Sequence, residues 1–579
     1  MLKGLNFISQ FISWGSIFAG LNDSLTSQCR CLYQDPSCWP SPEDFSFLAS
    51  QLSRSLIYPV PPESACYPSS GSGDCTEFLL HASDGNWRAN HPGALQSTNF
   101  QTFDFQNGSI SACYFNTTLG MPCAQGNVPP IGVDARNAED IAQSVIFAEK
   151  WNLKVVIKNS GHDFLGRSSG RNSFMIWTHN IKNISYDETF VPEGGPNNES
   201  YNALTLGAGV QWHEAYDAAK SHERSLVGGV SRGGSVGAAG GWILGGGHSA
   251  LSPRHGLGVD NVLQFTLVTS SGSHLTVNAY SHPDLFWALR GGGGGTYGVL
   301  TSVTYNTQPL TPLTAVILEV KTFSSPAIAQ SVVSEFLRFH PTMADLSWGG
   351  YAYFTSQRFI FLGIALNTTL EDTNAIIQPL SDFIGNATAG EVARSTIPFD
   401  SLIDNSPDGE SERIIGKNLE MASRLIPREL LETDYERVAE TLLGLEVLIS
   451  YHLVAGGAVS KVDPDSAGLN PAWRKALAHI AVGSSWTEGI NASEIHQIHQ
   501  IQDKVKRHLS VLEELVGPDG GAYFNEASLY EKDFQRTFFG EHYAKLEAIK
   551  DQYDPAGLFV VAEGVGSERW DEDLNCMTA

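Results

Sequence analysis

The stretch Lys158–Asn159–Ser160–Gly161–His162–Asp163–Phe164–Leu165–Gly166–Arg167–Ser168–Ser169–Gly170 follows directly on Val155–Val156–Ile157, an apolar run that reads as a buried strand. Backbone N–H groups of a glycine- and serine-rich loop form a nest suited to a pyrophosphate. Gly161 and Gly166 permit the positive φ and close backbone approach that such a nest needs. His162 is out of place if the loop only grips phosphate. It is either a nucleophile toward an activated cofactor carbon or a satisfied loop histidine, and the loop alone leaves both open.

Two further glycine clusters lie downstream. From Gly228 to Gly247 there are ten glycines in twenty residues, interspersed with Val236, Trp242, Ile243 and Leu244, which a flexible linker would not carry. The third cluster, Arg290–Gly291–Gly292–Gly293–Gly294–Gly295–Thr296–Tyr297–Gly298–Val299, joins a helix start at Pro283–Trp287 to a strand, Val299–Tyr305. Neither cluster is a Rossmann fingerprint, and no phosphate-binding G-x-x-x-x-G-K-[ST] motif occurs. Backbone this bare lines a place where something flat and extended comes close.

Around these loops the chain divides by pattern. Residues 1–27 read as a leader, with Lys3 ahead of a mostly apolar stretch from Leu5 to Ala19. Residues 28–123 read as a loop-rich, cysteine-containing extension. Residues 124–309 hold the glycine loops, with a helix expected from Asn137 and strands over Leu204–Val210 and Leu263–Val268, the latter followed by a hairpin turn at Ser271–Gly272–Ser273. From 310 to 505 strand-like runs (Ala315–Val320, Phe359–Leu366, Glu446–Val454) alternate with helical ones (Ala327–Phe339, Thr369–Ile384), as in a separate α+β domain. Residues 506–579 open with an amphipathic helix, Val505–Val516.

Acidic residues outnumber basic ones 62 to 36, for a net charge of −26, which repels phosphate backbones and anionic membranes and argues against a nucleic-acid partner. No run reaches the length of a membrane span. Seven of the eight cysteines fall at or before Cys123 and the last is Cys576, a layout suggesting bridges that pin the ends, with the pairing unreadable. Cys29–Arg30–Cys31 lacks partners at zinc-binding spacing, so no metal is expected. The cysteines, the leader and eight N-x-S/T sequons (Asn22, Asn107, Asn116, Asn183, Asn198, Asn367, Asn386, Asn491) together point to the secretory route, secreted or to the vacuolar lumen.

The three loops in this order resemble the PCMH-type FAD-binding domain of the vanillyl-alcohol oxidase superfamily, and more narrowly the fungal berberine-bridge-enzyme-like oxidases. Tyr523–Phe524–Asn525–Glu526–Ala527, Phe538–Phe539–Gly540–Glu541–His542–Tyr543 and Tyr553–Asp554–Pro555–Ala556–Gly557–Leu558–Phe559 resemble that family's closing segment, extended by Gly564–Trp570. The cysteine-rich start resembles the isoamyl alcohol oxidase branch. The resemblance implies an α+β, two-domain fold: an FAD-binding domain, a substrate domain built on an antiparallel sheet, and a C-terminal segment that returns to the FAD domain. It implies FAD attached through its 8α-methyl carbon to His162. The cofactor contacts it implies are Asn159, Ser160, Gly161, Asp163, Gly166, Ser168, Val236, Gly237, Gly241, Gly245, Gly246, His248, Gly258, Val299 and Asn525.

The sequence departs from the family at two points. Where many relatives attach the flavin a second time through cysteine this chain has Gly233, so a single link is expected. Where many place a tyrosine after the asparagine it has Glu526, which leaves the catalytic base open among Tyr523, Glu526 and His248. The implied reaction is hydride transfer from a small alcohol or a secondary-metabolite intermediate to flavin, with O2 as acceptor and H2O2 released, including ring closure or desaturation. The competing readings are a carbohydrate oxidase or a dehydrogenase with another acceptor, and an inactive secreted glycoprotein serving as a binding module.

Overall fold

Asn137 starts the first long helix by accepting a hydrogen bond from the Asp140 N–H, and α1 (Ala138–Lys150) buries Ile141, Val145 and Ala148. In this computed structural model, which describes residues 29–67, 73–230, 232–399, 414–489 and 491–578, that face covers a small parallel sheet. Its strands β1 (Ile131–Asp134), β2 (Val155–Lys158) and β3 (Phe174–Trp177) run in the order β1-β3-β2. Leu56–Ile57 adds an antiparallel edge to β1. A second, antiparallel sheet holds β4 (Ile184–Phe190), β5 (Tyr201–Gly207), β6 (Val262–Val268), β7 (His274–Asn278) and β8 (Val299–Asn306) in the order β7-β6-β8-β5-β4. The two sheets and the glycine loops make the FAD-binding domain. The leader at 1–27 and Asn22 lie outside the described residues.

The substrate domain is one seven-stranded antiparallel sheet, β9 (Leu313–Val320), β10 (Gly349–Phe354), β11 (Phe359–Leu366), β12 (Ala393–Phe399), β13 (Asn418–Pro427), β14 (Ile449–Leu453) and β15 (Ala476–Trp486), ordered β12-β9-β11-β10-β14-β15-β13. The period of two divides each strand. Val316, Leu318, Phe359 and Phe361 point into a core covered by α2 (Pro326–Asp345), α3 (Leu370–Ala387) and α4 (Asn491–Val516). Ile317, Ile360, Leu362 and Ile364 point the other way, toward the FAD-binding domain. The two-domain α+β architecture is as expected. In detail, α2 runs through Pro341 to Asp345 instead of stopping at Phe339. The domain boundary drawn at 505/506 falls inside the continuous α4.

The extension is part of the fold and not a loose appendage. Ser41 and Asp44 form a capping box on a helix over Pro42–Gln51. Asn86 donates to the Gly233 carbonyl and Gln96 to the Ser235 hydroxyl, which seats residues 85–96 on the second glycine loop. Four disulfides pair Cys29–Cys576, Cys31–Cys38, Cys66–Cys75 and Cys113–Cys123. The first joins the two ends of the described chain. The C-terminal segment returns as expected: Lys550 donates to the Thr296 carbonyl, and Phe524, Phe538 and Phe539 share a core with Trp242 and Leu285.

Candidate active site

A single cavity of about 1230 Å³ runs from the glycine loops to the bare face of the seven-stranded sheet. Drug-sized sites occupy roughly 300–1,000 Å³, so this space holds a dinucleotide with room for a second small molecule. The first loop lines it from Asn159 to Gly170. Gly161 sits at φ 74°, and a Cβ there would meet the Lys158 side chain at 2.8 Å and the Ala94 carbonyl at 3.0 Å. Asp163 holds the loop's shape by accepting from the backbone N–H of Leu165 (3.0 Å) and Ser168 (2.6 Å). Asp163 and Ser168 both line the cavity. His162 faces the cavity, edge-on to Phe164 with ring centroids 5.1 Å apart. Burial lowers its pKa, against the pull of Glu526 and Asp163, which keeps the imidazole neutral with a lone pair to offer.

The second loop meets the first. A Cβ at Gly237 would lie 2.6 Å from the Asn159 amide, whose Nδ2 donates to the Ala208 carbonyl while its buried Oδ1 has no partner. Val236, Gly237, Gly241 and His248 line the cavity, and Gly241 is open enough that a Cβ there would touch nothing. Four expected contacts lie behind the wall instead. Gly245 backs onto the Asn525 amide, Gly246 onto Leu469 and Gly258 onto the Trp242 ring, while Val299 opens a strand and belongs to a packed core. Their small size or apolarity serves packing. The residues present fit FAD: bare backbone on three sides, a neutral histidine, and orphan polar atoms at Asn159 Oδ1 and Arg167 Nη2.

Asn525 closes the cavity from the C-terminal segment, its amide donating to the Tyr523 hydroxyl (2.9 Å) and the Gly241 carbonyl (3.1 Å). Tyr523 donates in turn to the Trp242 carbonyl. Burial and the Glu526 charge push its phenol further up, so it holds its proton and positions the segment. Glu526 faces three histidines. Its Oε2 lies 3.4 Å from His248 Nε2 and 3.6 Å from His479 Nδ1. His479 Nδ1 lies 3.2 Å from His452 Nδ1, and Ser450 Oγ lies 2.7 Å from His452 Nε2. Burial alone would raise the Glu526 carboxyl, but His248, by charge and hydrogen bond, and then His479 and His452 outweigh it and hold it below the usual carboxylate range. Burial lowers His452 to about 4 and also lowers His479 well below its ordinary value.

Sequence reasoning missed His452 and His479. They are register partners on β14 and β15, and their one signal was a histidine inside an otherwise apolar strand. Arg167 was also missed; it donates to the Phe524 and Ala562 carbonyls and stacks 3.7 Å from the Phe524 ring centroid, tying the first loop to the C-terminal segment.

Residues 129–278 match the FAD binding domain family and 522–566 the berberine and berberine-like family. An uncharacterized FAD-linked oxidoreductase of Arthroderma benhamiae is 38% identical over 95% of this chain and 96% of its own length. The crystal structure of the VAO-type flavoprotein MtVAO615 from Myceliophthora thermophila superposes with a TM-score of 0.84 at 26% identity, covering 95% of this chain and all of that one. The glucooligosaccharide oxidase of Acremonium strictum, whose FAD is 6-S-cysteinyl, 8α-N1-histidyl, shares the fold at a TM-score of 0.63 and 20% identity, over 76% of this chain and 92% of that one. No helix among the described residues is long and apolar enough to cross a membrane. With three glycine loops, a histidine and the returning C-terminal segment closing on one dinucleotide-sized cavity, the chain belongs to the FAD-linked oxidoreductases of the vanillyl-alcohol oxidase and berberine-bridge type, and its cofactor is FAD.

Proposed function

We propose that this chain is an oxidase of apolar or aromatic alcohols or secondary-metabolite intermediates, with FAD linked once, through His162. The flavin, when bound, accepts the substrate hydride and passes the electrons to O2, giving H2O2. His162 supplies the tether as a neutral nucleophile. Gly233, at φ 68°, supplies no second one. Glu526 takes the hydroxyl proton, with His248 Nε2 standing 3.4 Å from its Oε2. Tyr523 and Asn525 hold Glu526 in place.

The observation that carries the reading is the placement of His162 and Glu526 on one cavity, close enough for the charge of Glu526 to act on the imidazole. The far wall, with Tyr351, Ile360, Leu362, Ile364, Leu419 and Met421, favours an apolar substrate over a sugar. A ring closure or desaturation fits the same chemistry. We place the protein in the secretory pathway, secreted or vacuolar, on the strength of its four disulfides. Asn107, Asn116, Asn183, Asn198, Asn367 and Asn386 are all exposed and open to glycosylation.

Denaturing electrophoresis tests the tether: the wild-type band fluoresces as flavin and the His162→Ala band does not. A dark wild-type band, or a fluorescent His162→Ala band, refutes it. Peroxide release across alcohols, sugars and aromatic metabolites tests the reaction. Turnover of sugars alone, or flavin reduction without peroxide, refutes the substrate class or the acceptor respectively.

A further inference from the structure

His248, His452, His479 and Glu526 each offer one ligand-type atom, all four atoms lying within 4.8 Å of one another. The contacts among them measure 3.2 Å (His479 Nδ1 to His452 Nδ1), 3.4 Å (His248 Nε2 to Glu526 Oε2) and 3.6 Å (His479 Nδ1 to Glu526 Oε2). The last two are long for hydrogen bonds, which lie at about 2.7–3.2 Å for N–H···O. Those two distances fall within the spacing of ligands on a tetrahedral zinc ion, roughly 3.3–3.6 Å for ligands about 2.0–2.2 Å from the metal. The facing Nδ1 atoms of His452 and His479 have room for one proton between them, whereas two lone pairs aimed at a metal satisfy both. Ser450 Oγ, 2.7 Å from His452 Nε2, orients that ring as an outer partner does for a metal-bound histidine. Glu526, with 21% of its side chain exposed, finds histidines and no lysine or arginine among its described ion-pair partners, and a cation bound among them would balance its charge.

We propose that these four residues form a binding site for a divalent transition-metal ion of the zinc type, beside the flavin. Three imidazoles and one carboxylate select zinc, cobalt or copper over magnesium or calcium, which take oxygen ligands. Because Glu526, His452 and His248 line the cavity, an oxygen of water or of the substrate hydroxyl can reach the ion from that side as a fifth ligand. The absence of metal expected from the cysteines is thereby reversed on other residues. The inference rests on reading this cavity as the flavin–substrate site.

The test is elemental analysis of the purified holoenzyme, before and after exposure to Zn2+ or Co2+ and desalting, with flavin absorbance from the same sample. One metal ion per flavin-bearing chain is expected, with Co2+ giving visible d–d absorption to the red of the flavin. Glu526→Gln and His479→Ala, each with its flavin absorbance intact, lose at least about tenfold of the bound metal. If His479→Ala does not fold, His452→Gln takes its place. Flavin-bearing wild type that holds no metal and takes up neither ion overturns the site and leaves the oxidase reading standing, as do variants that retain full metal. Metal without covalent flavin sinks the tether and leaves the site.

Discussion

Glu531 follows the cavity-lining carboxylate Glu526 by five residues and meets Arg424 of β13 in two parallel hydrogen bonds of 2.6 and 2.9 Å, with both side chains almost wholly buried (2% and 3% exposed). This pair clamps the C-terminal segment to the substrate sheet. Glu531→Ala leaves a guanidinium buried without its partner, a loss of about 3–5 kcal/mol. At roughly 2.1 cal/mol/K per residue, the 579 residues give an unfolding entropy of about 1.2 kcal/mol/K, so the melting temperature falls by about 3 °C. The double change Arg424→Met with Glu531→Leu removes both charges and restores most of the loss, because the pair's attraction largely offsets its desolvation. Differential scanning calorimetry of wild type, single and double variants is the assay. A single variant within 1 °C of wild type (on this scale of about 3 °C), or a double variant less stable than the single one, refutes the reasoning.

Further predictions concern the site and the ends. Glu526→Gln keeps the shape and loses the charge; anaerobic flavin reduction by substrate slows by about 10²–10⁴-fold with covalent flavin retained, as stopped-flow absorbance reads. Burial raises the Glu563 carboxyl from 4.5 to about 8, against Arg167 and reinforced by Glu531. Between those values the folded state binds the extra proton, so stability falls as pH rises through this window. Melting curves across the window should show the fall, and Glu563→Gln should flatten it. Replacing both Cys29 and Cys576 with serine releases a closure spanning 547 residues. It lowers stability by about 2–5 kcal/mol, measured by urea unfolding with the other three bridges intact.

The fold was legible where local pattern and local structure coincide. The strand before His162, the helix started by Asn137 and the hairpin at Ser271–Gly272–Ser273 each declare themselves within a few residues. Within the extension, prolines and serines mask short helices whose starts, at Ser41, Asp74 and Asp84, are ordinary side-chain caps. The cysteine pairing was out of reach, since eight cysteines allow 105 connectivities and the Cys29–Cys576 bridge depends on where the C-terminal segment returns. Gly245, Gly246 and Gly258 belong to the same glycine-rich region as true cavity-lining residues. Composition cannot tell a glycine that faces a ligand from one that admits a tryptophan ring or an asparagine.

The cluster around Glu526 was legible only in halves. In sequence, the glutamate at position 526 leaves the base open among Tyr523, Glu526 and His248. In the fold, that carboxylate enters a buried wall where it would stand alone without His248 from the second glycine loop and the His452–His479 pair set by the register of β14 against β15. The pair lies far from Glu526 along the chain, and a one-residue slip of either strand would turn its histidine to the helix-covered core. Glu526 and the histidines are thus one unit, bound by the cost of burying any member unpartnered. Glu526→Tyr alone would strand three imidazoles without the carboxylate they face.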